Sequence, residues 1–138
     1  MTRRSAREII FKMLFAYESG ENTPEESLSI AWEKPIEEKD KEYILRVFEG
    51  VIKNLDLIDG IIQKYTIDWK LERLLLTDKT LLRLAIYEIL FLEEIPEGVS
   101  INEAVELAKV YGDLKSPKFI NGVLGAIVRD LDKIKENI

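Results

Sequence analysis

Apolar residues recur along this chain at steps of three and four, and strict alternation over four or more residues is nowhere convincing, so the pattern predicts helices throughout. Ala6, Ile10, Met13, Leu14 and Tyr17 define one face of a first helix that fades at Ser19 and Gly20. Thr23 to Glu26, TPEE, reads as a capping box that opens a short second helix ending before Pro35, with Pro24 at the first helical position. Between Asp40 and Leu55, the residues Tyr43, Ile44, Val47, Phe48, Val51 and Ile52 form the broad stripe of a core helix. Asn54 marks a break or bend before a fourth segment, Asp56 to Lys64, where Leu57, Ile58, Ile61 and Ile62 keep the helical period. Gly60 weakens that segment by about 1 kcal/mol relative to alanine.

The second half carries clearer punctuation. Thr77 and Asp78 open a run to about Leu92 in which Leu81, Leu82, Ala85, Ile86, Ile89 and Leu90 make a face so wide that the helix must be buried on much of its circumference. After the turn at Pro96–Gly98, SINE at Ser100 to Glu103 reads as a second capping box, and the helix it starts stops at Gly112. Ser116 and Pro117 open the last helix. The expected architecture is an all-α bundle of about seven helices joined by short loops, within one domain spanning residues 1–138. No internal repeat or low-complexity tract interrupts it.

Composition then removes whole classes of chemistry. The 138 residues include no cysteine and no histidine, which excludes disulfides, thiolate or imidazole metal sites and the Ser-His-Asp triad. Carboxylates fall mainly among lysines on helical faces, where solvated charge explains them, and no phosphate-binding glycine loop is present. No catalytic residue, metal site or cofactor is expected. No apolar run reaches the roughly 18 residues that a membrane span requires. The N-terminal stretch is broken by charge and has no small-residue cleavage site. A soluble, unprocessed, cytoplasmic chain is the expectation, with no membrane contact.

Charge is unevenly spread. The net charge is -6, yet residues 1–12 hold Arg3, Arg4, Arg7 and Lys12 against Glu8 alone, and residues 109–118 hold Lys109, Lys115 and Lys118 against Asp113 alone. A local positive field holds phosphates even on an acidic molecule. At the start of the last helix, Ser116 as cap, Pro117, the first-turn amides and the flanking Lys115 and Lys118 would form an anion site. Phe119 beside them offers a face on which an unpaired base stacks. Plainer readings stand alongside: solvated arginines, a Phe119 packed into the core with Val123 and Leu124, and Gly122 and Gly125 serving close helix approach while Asn121 ties a loop.

Four stretches carry a family resemblance: R-R-x-A-R-E at Arg3 to Glu8, L-R-L-A-I-Y-E-I-L at Leu82 to Leu90, I-P-x-x-V-S-I-N-E-A-V-E-L-A-K at Ile95 to Lys109, and K-F-I-N-G-V-L at Lys118 to Leu124. They resemble the NusB family of bacterial transcription antitermination factors, essentially end to end. The resemblance implies an all-α, non-enzymatic RNA-binding protein. With ribosomal protein NusE as partner, such a protein recognises single-stranded boxA RNA of nascent ribosomal RNA in the RNA polymerase antitermination complex. It implies RNA contacts at Arg3, Arg4 and Arg7, with Ser5 interrupting the family's longer arginine run, and at Lys115, Ser116, Lys118, Phe119 and Asn121, the two patches acting as one site. Phe15 falls where family members often have tyrosine, keeping the ring and losing the hydroxyl. The NusE surface is expected on the acidic side around Glu72, Asp78 and Glu88, and its apolar part is expected to pair two free copies into a homodimer. Two other readings remain at this stage. One is an RNA-binding domain detached from an RNA cytosine methyltransferase, although 138 residues leave no room for the cofactor domain. The other is an acidic interaction scaffold that binds no RNA.

Overall fold

Thr2 opens the first helix by a cap that periodicity did not reveal: its hydroxyl oxygen accepts from the Ser5 backbone amide at 3.0 Å, satisfying one of the donors a helix start leaves unpaired. The computed structural model describes residues 2–20, 26, 29, 36–66 and 70–138, and every regular element among them is helical. The chain divides into two compact units, Met1–Lys53 and Asn54–Ile138.

In the first unit, α1 (Arg3–Glu18) buries Ala6, Ile10, Met13 and Leu14, the expected face, and ends where Gly20 takes a positive φ of 80°. It packs on α2 (Glu38–Lys53), whose Tyr43, Ile44, Val47, Phe48 and Val51 are buried. Tyr17 meets Phe48 edge-on at 6.3 Å. Of the expected second helix, Glu26 and Ser29 are described and helical, the Ser29 hydroxyl donating to the Glu26 carbonyl at 2.6 Å. The rest of that expected helix, including the Thr23 cap, lies outside the described residues.

The second unit runs through α3 (Leu55–Tyr65), a 3-10 turn (Leu71–Arg73), α4 (Leu76–Phe91), α5 (Glu97–Tyr111), α6 (Ser116–Arg129) and α7 (Leu131–Glu136). The break expected at Asn54 falls between α2 and α3, and Gly60 sits inside an unbroken α3. Helix α4 is the axis: α3, α5 and α6 all pack on it, and Thr80 through Leu90 are buried without exception. Its Arg83 reaches Asp59 of α3 through two parallel bonds, Nε to Oδ1 and Nη2 to Oδ2, each 2.8 Å. That fork gives a buried guanidinium two charge-assisted hydrogen bonds.

Two boundaries differ from expectation. Helix α5 begins at Glu97, not after Ser100, so the SINE capping box does not form; Ser100 is buried inside the helix and directs its hydroxyl to Glu88 Oε1 at 3.4 Å. A buried carboxylate on the neighbouring helix outcompetes a local cap for that hydroxyl. The last apolar run breaks at Asp130 into α6 and α7, and the Tyr65 hydroxyl donates to Asp130 Oδ2 at 2.7 Å across the junction. Among the described residues no helix is long and apolar enough to cross a membrane.

The close approach expected at Gly122 and Gly125 occurs instead at Gly112. A Cβ on Gly112 would lie 2.5 Å from the Ser116 side chain and 2.9 Å from the Ala108 carbonyl, whereas Gly122 has nothing within 4 Å. The α5–α6 turn therefore closes only around glycine. Gly112→Ala is expected to cost about 1–3 kcal/mol, by displacing Ser116. Gly122→Ala, in an open helical position, is expected to gain about 0.5–1 kcal/mol. Chemical denaturation of the two variants beside the parent checks the opposite signs.

Candidate nucleic-acid interface

The α5–α6 turn is built by Asp113. Its Oδ1 accepts from the amides of Lys115 at 2.9 Å and Ser116 at 3.0 Å, while the Ser116 hydroxyl oxygen accepts from the Asp113 amide at 3.0 Å. This reciprocal pair is a capping box in which Asp113 takes the capping role expected of Ser116. Ser116 is completely buried, so its side chain shapes the entrance and does not face solvent. The anion site expected at these amides is correspondingly reduced: a carboxylate already accepts from two of them, and Pro117 has none to offer. What the turn leaves for an anion is the exposed side chains of Lys115 and Lys118, with Asn121 exposed one turn further along α6.

Phe119 is half-buried and forms one wall of an open pocket of about 220 Å³. Leu74 and the exposed Leu75 supply further apolar wall; Arg73 and Lys115 bring two cations; Asp78 and Asp113 bring two carboxylates. Of the expected site residues the structure thus gathers Lys115, Phe119 and Asp78, and it adds Arg73 and Asp113. Asp113 had a readable signal, since D-x-x-S ahead of a helix is a capping pattern. Arg73 had none, because a three-residue 3-10 turn leaves no periodicity.

On the first unit, Arg3 and Arg4 are exposed at the start of α1. The Arg3 guanidinium lies 3.6 Å from the centre of the Tyr43 ring, a cation–π contact that holds its orientation while its edge stays in water. Arg7 departs from expectation: only 4% exposed, it is turned into the protein and is not a surface contact. Phe15 is 37% exposed, with the Phe11 ring 6.0 Å behind it.

The acidic partner surface needs a larger correction. Glu72 is exposed, but Asp78 is 6% and Glu88 1% exposed, so neither belongs to an acidic outer face. Both lie on α4, which is enclosed over the whole span from Thr80 to Leu90. Burial pushes the Asp78 carboxyl above the usual carboxylate range; the neighbouring Ser116 hydroxyl pulls the other way, and the charge of Asp113 adds to the rise. Asp78 Oδ1 has no hydrogen-bond partner.

Because the folded-state value is raised, Asp78 contributes stability below its unfolded value and loses that contribution as pH rises through the folded one. Asp78→Asn removes the ionised form, so its melting temperature relative to the parent is expected to be higher at pH 7 than at about pH 4, where the penalty on the ionised form matters less. Paired thermal melts across that range check it; an advantage independent of pH would show that the ionised form is not penalised.

Comparison with known proteins identifies the family. The sequence model of the NusB family matches residues 4–129. The transcription antitermination protein NusB of Thermodesulfovibrio yellowstonii is 43% identical across 94% of this chain and 93% of its own length. The solved structure of NusB from T. maritima superposes with a TM-score of 0.81 at 38% identity, covering 99% of this chain and 92% of that one. A crystal structure of antitermination factors NusB and NusE in complex with double-stranded RNA gives 0.82 at 32% identity, covering 92% of this chain and 96% of that one. With the family's sequence model matched over nearly the full length and the same helical fold beneath it, this chain belongs to the NusB family.

Proposed function

We propose that this protein is a non-enzymatic transcription antitermination factor that binds boxA-type single-stranded RNA of nascent ribosomal transcripts together with ribosomal protein NusE, in the cytoplasm, and supports elongation by RNA polymerase. The observation that carries the reading is the likeness in fold and sequence to a NusB held with NusE and RNA, joined to exposed cations on a chain of net charge -6. Arg3 and Arg4 on one unit, and Lys115 and Lys118 on the other, neutralise phosphates. Phe15 and Phe119 offer ring faces to bases, and Asn121 offers an amide. Glu72 remains on the NusE side, and without NusE the protein pairs with itself through that surface.

Fluorescence anisotropy with a labelled boxA RNA, with and without NusE, tests the whole. Affinity is expected to rise with NusE and to fall with salt at a slope near -0.7 per neutralised phosphate. Sedimentation of the free protein is expected to show a dimer that NusE dissolves. RNA binding that ignores salt, or none with NusE present, would return the acidic scaffold as the better reading.

Individual residues separate the roles. Arg4→Ala or Lys118→Ala is expected to lower the slope's magnitude by about 0.7 and to weaken matched and mismatched RNA alike, because phosphate contacts position without reading sequence. Phe119→Ala is expected to lose about 1–3 kcal/mol of RNA affinity with the slope unchanged. A Phe119→Ala protein that melts far lower yet binds RNA normally when folded would assign the ring to packing alone.

A further inference from the structure

Arg73 lines the pocket beside Phe119, yet it belongs to neither basic cluster of the sequence. It is exposed on the 3-10 turn, and among the described residues neither its guanidinium nor the Lys115 ammonium is engaged by an ion pair or a side-chain hydrogen bond. The carboxylates of the lining are occupied or withdrawn. Asp113 Oδ1 accepts from the Lys115 and Ser116 amides and from the Ser116 hydroxyl, and Asp78 Oδ1 is buried. What the pocket offers a ligand is therefore a half-buried ring, apolar wall from Leu74 and Leu75, and two cations, one on the 3-10 turn and one at the α5–α6 turn. At about 220 Å³ the space falls below the roughly 300 Å³ at which pockets for whole small molecules begin, so it suits one flat group. A nucleotide is a flat group with an anion at its edge: the base takes the ring, and the planar fork of a guanidinium takes two phosphate oxygens at once. A partner's carboxylate would use the cations and leave the ring and the leucines without a flat counterpart. With three residues per turn, adjacent side chains of the 3-10 turn point about 120° apart, so Arg73 lines the pocket while its exposed neighbour Glu72 does not.

We propose that Arg73 is a further RNA-binding residue, holding the backbone phosphate of the nucleotide whose base stacks on Phe119. The inference rests on the RNA-binding reading above and extends that site to the connection between α3 and α4, within the second unit. Arg73 neutralises and positions; it reads no base, since the phosphate is the same on every nucleotide.

The test uses the full chain and a boxA-type single-stranded RNA, with affinity for RNA and affinity for NusE measured separately. Arg73→Ala is expected to weaken RNA binding by about tenfold and to lower the magnitude of the salt slope by about 0.7. Arg73→Lys is expected to keep the slope and lose part of the affinity, because an ammonium neutralises the phosphate without the fork. RNAs carrying one uncharged methylphosphonate linkage at successive positions locate the contact: at one linkage the parent weakens and Arg73→Ala weakens no further. An abasic nucleotide beside that linkage is expected to cancel the effect of Phe119→Ala and to leave that of Arg73→Ala. The altered RNAs act on the parent protein as well, so the contact is read without relying on the stability of a variant. If Arg73→Ala keeps the parent's slope and affinity, the inference is overturned and RNA binding stands; absence of any RNA binding by the parent overturns both. Loss of NusE affinity with RNA binding unchanged would give the guanidinium to a carboxylate of the partner, and the inference fails. It fails equally if the responsive linkage and the responsive abasic position belong to separate nucleotides.

Discussion

Helix α4 is enclosed along most of its length, yet it carries three charged side chains, Asp78, Arg83 and Glu88, into that enclosure. A buried charge without a partner costs several kcal/mol, more than a single apolar contact returns. Arg83 is answered by the carboxylate fork of Asp59 on α3, and Glu88 receives the hydroxyl of Ser100 on α5. Asp78 lies beside Ser116 at the start of α6, whose hydroxyl donates to Asp113 Oδ1 at 3.2 Å. Arg83 and Glu88 thus tie α4 to two of the helices that pack on it, α3 and α5, and they specify orientation as well as contact. Of the three, Asp78 keeps a buried oxygen, Oδ1, without a hydrogen-bond partner.

The same constraint shapes the interface region. Gly112 lets Ser116 come close beneath the turn, Asp113 caps the turn, and Lys115, Lys118 and Phe119 follow from a rigid start to α6. A carboxylate in the capping position satisfies the amides that an anion would otherwise use. Anion affinity then falls to long lysine side chains, whose attraction is strong at low salt and screened as ionic strength rises.

By itself the sequence determined a good deal: the helical period, the stop at Gly20, the break at Asn54, the buried stripe of α4, the two basic clusters and the motifs of the NusB family. Those are properties of neighbours along the chain, where spacing and residue type are sufficient. Tertiary structure alone decided that Arg7, Asp78 and Glu88 are buried, that Ser100 serves Glu88 rather than a helix start, and that Gly112 rather than Gly122 marks the close approach. Periodicity reports which residues share a face but not what lies opposite it. On a helix enclosed from every side, a polar stripe has the same spacing as a solvated one, so only the packed neighbours distinguish a surface charge from a buried charge.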